Sequence, residues 1–94
     1  MGQMMKHSEV EKMAEFISEN WKGWPDDKHL APLFLDMAKE FDFVLKKGRA
    51  MRMARSFTLH IVNQNSHFYY PLHDIRYALL YALKVEGWKV DMSN

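Results

Sequence analysis

The segment from Asp74 to Glu86 reads as a helix that is apolar on nearly every side, and this narrows what the chain can fold into. Ile75, Leu79, Ala82 and Leu83 recur at helical spacing as one stripe, while Tyr77, Leu80, Tyr81 and, past the glycine, Trp88 point the other way. A surface helix of a globular domain has one apolar stripe and one wet face. A helix apolar all round must be covered by its own domain or by something else, and 94 residues supply limited material for the first option.

The material for a core is nonetheless ample. Hydrophobic residues make up 48% of the chain, with three Trp, four Tyr, six Phe and eight Met, so a folded body is expected rather than disorder. The length suits a single compact domain over residues 1–94, with residues 1–7 and 89–94 as loose tails. Cysteine is absent, which rules out disulfides, thiol catalysis, iron–sulfur clusters and cysteine zinc sites, and fits a reducing compartment. No run approaches the ~18 uninterrupted apolar residues of a membrane span. The start, Met1 to Lys6, is too short and polar for a signal peptide, and Lys6 stands where a myristoylation signal needs Ser or Thr. A cytoplasmic location is therefore expected.

Charge is unevenly placed. Residues 1–45 carry nine carboxylates against five lysines, whereas residues 46–55 carry Lys46, Lys47, Arg49, Arg52 and Arg55 with no acid. Such a block either meets an anionic partner or lies against the acidic first half.

Along the chain, Ser8-Glu9-Val10-Glu11 reads as a capping box opening a first helix, with Val10, Met13, Ala14, Ile17 and Trp21 at helical spacing and Gly23 as its stop. After the Trp24-Pro25-Asp26-Asp27 turn, a second helical pattern places Leu33, Phe34, Met37, Ala38, Phe41, Val44 and Leu45 on one side. Pro32 suits its first turn, Lys46 and Lys47 suit its C-terminal end, and Gly48 suits the position after it.

Residues 51–62 support two readings. With period two, Met51, Met53, Phe57, Leu59 and Ile61 share a face; with period 3.6, Ala50, Met51, Ala54, Phe57, Thr58, Ile61 and Val62 form a stripe. The strand reading is favoured because Phe57 to Val62 is rich in β-formers and Asn63 to Ser66 reads as a hairpin loop. That loop pairs Ile61 with Phe68 and Leu59 with Tyr70 on an apolar face, leaving His60, His67 and Tyr69 on a mixed one. Pro71 ends the strand, His73 or Asp74 caps the last helix, and Gly87 stops it. The expected fold is α+β, a small helix–helix–β-hairpin–helix domain, with an all-α four-helix domain as the alternative.

No complete chemical motif emerges. His60 and His67 could approach across the hairpin near Asp74, but no third ligand is fixed by spacing, so no metal is expected. His73-Asp74 is better explained as a helix start than as an acid–base pair. There is no glycine-rich phosphate loop and no nucleophile elbow, so neither catalytic residues, cofactor nor small-molecule substrate is expected. The tryptophans flanking Gly23 suit plugging the end of a core better than forming a peptide groove.

Two interaction readings remain. In the first, the chain is a non-enzymatic regulator that binds a protein partner or a second copy, a homodimer being favoured, through Tyr77, Leu80, Tyr81 and Trp88. Small, cysteine-free, motif-poor chains of this sort include phage and mobile-element inhibitors and regulators, an analogy of class only. In the alternative, Lys46, Lys47, Arg49, Arg52 and Arg55 contact nucleic acid while Tyr69 and other hairpin aromatics stack on bases. A sequence pI near 8.0 is low for a dedicated nucleic-acid domain.

Overall fold

A computed structural model describes residues 4–21, 25–64 and 70–92. It places two short strands and four helices in the order β1 (Met4–Lys6), α1 (His7–Asn20), α2 (Asp27–Glu40), α3 (Lys47–Gln64), α4 (Leu72–Val85) and β2 (Lys89–Asp91). The domain is small and mostly helical.

The expected hairpin is replaced by the longest helix. Residues 51–62 lie wholly within α3, which buries Ala50, Met53, Ala54, Phe57 and Ile61 as one stripe. Leu59, which a strand would have buried beside Ile61, is exposed. The physical reason is tertiary. α3 packs between α2 and α4, and a helix there buries one continuous stripe against both neighbours. β-propensity expresses fit to a half-buried pleated surface, and it yields when a helical neighbour supplies the surface. His67, Phe68 and Tyr69, the second strand of the expected hairpin, lie outside the described residues.

α2 also ends earlier than its apolar pattern suggests. It stops at Glu40, and Asp42 takes the left-handed conformation at φ 58°. The Asp42 amide donates to the Lys39 carbonyl at 3.4 Å and the Phe43 amide to the Ala38 carbonyl at 2.9 Å. This is the paired-bond helix stop that usually carries glycine, here carrying aspartate, one of the few residues that tolerates the conformation. Gly48, expected to terminate α2, instead sits in the first turn of α3. Pro32 sits one turn inside α2 on its exposed side, where the amide that would meet the Lys28 carbonyl is missing.

α4 ends the same way as α2, now at the expected residue. Gly87 has φ 92°, its amide donates to the Lys84 carbonyl, and the Trp88 amide donates to the Leu83 carbonyl, each at 3.0 Å. At its start Pro71 holds the cap position and Asp74 lies in the first turn, where a carboxylate favours the helix dipole. The α1 cap is also displaced from Ser8: the Lys6 amide donates to Glu9 Oε1 at 3.4 Å.

The stretches read as loose tails are in part tied together. β1 and β2 pair in parallel, Met4 with Lys89, Met5 with Val90 and Lys6 with Asp91, and Met5 is buried. The helices pack in the spatial order α2, α3, α4, α1. α4 is thus flanked by α3 and α1, with its Ile75–Leu79–Ala82–Leu83 stripe wholly buried as the sequence implies.

Candidate functional site

Two regions contain the residues nominated by the sequence. The first is the start of α3, where the basic block forms the first turns of a helix. Positive charge there opposes the helix dipole, which favours anions at an N-terminus. The fold answers with a carboxylate from elsewhere. Glu86, at the end of α4 and with a side chain only 9% exposed, accepts from Arg49 Nε at 3.3 Å and from Arg52 Nε at 3.1 Å. Arg49 also donates through Nη2 to the Glu86 backbone carbonyl, at the negative end of the α4 dipole.

The Arg49 guanidinium lies 4.1 Å from the centroid of the Trp88 ring, a cation–π contact. Trp88 in turn meets Phe43 edge to face, with ring centroids 6.0 Å apart. These two rings are the residues immediately after the stops of α4 and α2, so the two helix ends are sealed against one another by the side chains that follow them. Trp88, nominated as an interface anchor, is 3% exposed and belongs to the core. The turn at Gly87, with its positive φ, carries the indole inward against Arg49 and Phe43.

Arg55, the third arginine of the block, pairs with Asp27 at 2.9 Å. Part of the block therefore answers the acidic first half, as one reading of the charge pattern has it, and part answers Glu86. Lys46 and Lys47 are exposed, and Tyr69 lies outside the described residues. Of the expected hairpin aromatics within the described residues, neither joins the basic block as a stacking platform: Phe57 is buried between Phe34 and Trp21, and Tyr70 stacks on Trp21 with centroids 5.1 Å apart. Trp21 thus plugs the core; Trp24 lies outside the described residues.

The second region is the outer face of α4. Tyr77 is 53% and Tyr81 47% exposed, one helical turn apart, and Val85 continues the line. Leu80 is half-buried. Neighbouring side chains brace this ridge. His60 of α3 packs on Tyr81 with ring centroids 5.1 Å apart, His73 meets Tyr77 edge to face at 6.5 Å, and the Arg76 guanidinium lies 5.4 Å from the Tyr77 centroid. Arg76 is itself held by Glu11 of α1 at 3.0 Å. Rings already braced by neighbouring side chains lose little freedom on contacting another surface, which favours binding.

No family model, curated protein or solved structure matches this chain.

Elsewhere, an open groove is lined by Pro25, Asp26, Asp27, Arg55, Thr58 and Leu59, and the Thr58 hydroxyl oxygen has no hydrogen-bond partner among the described residues. Asp26 caps α2, accepting from the Lys28 amide at 2.9 Å, and that bond holds its carboxyl below the usual carboxylate range. The carboxylates at this groove are thereby already engaged, Asp26 by the cap and Asp27 by Arg55. His60, a candidate ligand in the sequence, faces Tyr81 instead. Among the described residues no group of three or more His, Asp or Glu side chains is arranged to hold a metal ion, and no helix is long and apolar enough to cross a membrane.

Sequence reasoning missed the parts played by Glu86, Phe43 and His60. A signal existed for the first two: an aromatic follows each helix stop by one residue, and Glu86 is the acid next to the second stop. His60 gave none, because its role depends on residues 51–62 being a helix.

Proposed function

We propose that this chain is a non-enzymatic interaction domain, a regulator or inhibitor that works by occupying another protein surface through the outer face of α4. The observation that carries this reading is the pair of half-exposed, braced tyrosines, Tyr77 and Tyr81, on the outer face of a helix whose opposite face, Ile75, Ala78, Leu79, Ala82 and Leu83, is wholly buried. Tyrosines suit this work because each ring contributes apolar area while its hydroxyl stays hydrogen-bonded at the rim. The nucleic-acid alternative has less support, since each arginine of the basic block is paired with a carboxylate of the same chain.

Site-specific photo-crosslinking tests the proposal. A photoreactive phenylalanine analogue replaces Tyr77 in the cells that make the protein, with Lys12 on the exposed side of α1 as the control position. A discrete adduct is expected from position 77 alone. Its identity is read by mass spectrometry, and the purified partner should bind the wild-type chain but not Tyr81→Ala. The absence of any adduct specific to position 77 would overturn the reading.

A further inference from the structure

The outer face of α4 carries a charge pattern as well as an aromatic one. Asp74, Tyr77, Tyr81 and Lys84 are spaced three, four and three residues apart, the a/d spacing by which one helix packs along another. The order is acid, ring, ring, base. It is symmetric about Leu79 in position and antisymmetric in charge.

From this pattern we propose that the partner of the α4 face is a second copy of the same chain, docked antiparallel about a twofold axis that runs between the two helices, midway between Tyr77 and Tyr81 along each and level with the buried Leu79. The inference rests on the reading of this face as an interaction surface and names its occupant. In that register each Tyr77 meets the partner copy's Tyr81, and each Asp74 meets the partner copy's Lys84, so one stripe supplies two ring contacts and two ion pairs. A twofold interface requires such self-complementarity: residue i meets j, and j meets i. A parallel pairing would set Asp74 against Asp74 and Lys84 against Lys84.

The geometry is compatible. Asp74 and Lys84 lie roughly 15 Å apart along the helix axis. At a crossing angle of about 20° the two ends of the stripe stay within reach of their counterparts, whereas near 50° they diverge. Asp74, its side chain 21% exposed, already contacts His73 Nε2 at 3.0 Å and is engaged within its own chain, so the partner copy's Lys84 would share a carboxylate that accepts several donors at once. Two half-exposed tyrosines offer only roughly 100 Å² each, so the pairing is weak and concentration-dependent, short of the ~800 Å² per partner of a standard interface.

Charge-swap variants studied by sedimentation velocity test the register. Wild-type protein should pass reversibly from monomer to dimer below about 1 mM. Asp74→Lys alone and Lys84→Asp alone should each weaken self-association about tenfold or more. Mixed together they should form a heterodimer, because each copy then presents the charge the other lacks. Tyr77→Glu, at an exposed position, should abolish the dimer without lowering helicity or melting temperature, and it remains informative if a swapped variant folds poorly. A wild-type chain that stays monomeric, a dimer indifferent to Tyr77→Glu, or folded swap variants that fail to recognise each other would each overturn the inference. A monomer that still gives a position-77 adduct with a different protein would remove self-pairing and leave the broader reading standing.

Discussion

α4 presents its aromatic residues in two opposite ways. At its C-terminal end Trp88 is enclosed by Phe43 and Arg49, and the charges nearby converge on Glu86. Along its outer face Tyr77 and Tyr81 are braced from the side but left half open. The same residue types therefore do different work according to what the chain does next. A glycine turn carries the indole inward, against Phe43 and Arg49, whereas the tyrosines stay half open on the outer side of α4. The closed end contributes stability and the open face contributes contact area, so the two should respond differently to substitution.

The largest separation is expected between Trp88→Ala and Tyr81→Ala. Truncating a buried tryptophan costs about 3–5 kcal/mol, while removing a half-exposed tyrosine costs about 1 kcal/mol or less. Urea unfolding of the two variants measures this. Equal losses would mean that Tyr81 is as much a part of the core as Trp88, and the contrast would collapse.

A smaller effect is expected from Glu86→Gln, which removes the shared partner of Arg49 and Arg52. The carboxylate is nearly buried but both guanidiniums reach solvent, so a loss of about 1–2 kcal/mol is expected, reduced by added salt. Arg55→Gln, which breaks only the Asp27 pair on an exposed surface, should cost about 0.5 kcal/mol or less by the same unfolding measurement. If the two substitutions cost the same, Glu86 is an ordinary surface acid and the closed end is closed by its rings alone.

The smallest effect concerns the stop of α2. Asp42 adopts a left-handed conformation where α4 uses Gly87. Asp42→Gly should raise stability by about 0.5–1 kcal/mol, seen as a higher melting temperature, because glycine enters that region without a Cβ clash. Gly87→Ala should move in the other direction. A destabilised Asp42→Gly would show that the aspartate side chain stabilises the turn by more than its backbone strain costs.

Much of the helical framework was legible in the residues. The apolar spacing of Val10, Met13, Ala14 and Ile17 locates α1, and Ile75, Leu79, Ala82 and Leu83 locate the buried side of α4. The exposed ring pair Tyr77–Tyr81 also follows from spacing, since residues four apart share a helix face. The rest was not legible for identifiable reasons. Phe57 to Val62 carries a strong β-former composition, and only the presence of α2 and α4 on either side makes the helical stripe the better burial. The stop of α2 was hidden because Asp42 does the work of a glycine, and Phe41, Val44 and Leu45 continue an apolar pattern beyond it.

Sequence alone determined that the chain carries an apolar core, four segments able to form helices once both readings of residues 51–62 are counted, and one helix with more apolar surface than a single stripe requires. These are local quantities, set by composition and by which residues share a period. Tertiary structure alone decided that the arginines of the basic block close on Glu86 and Asp27, that Trp88 lies in the core while Tyr77 and Tyr81 face outward, and that β1 joins β2. Those outcomes depend on which side chains from distant parts of the chain arrive at the same place. Periodicity is blind to that, because it records which face of an element a residue occupies and not what the face will meet.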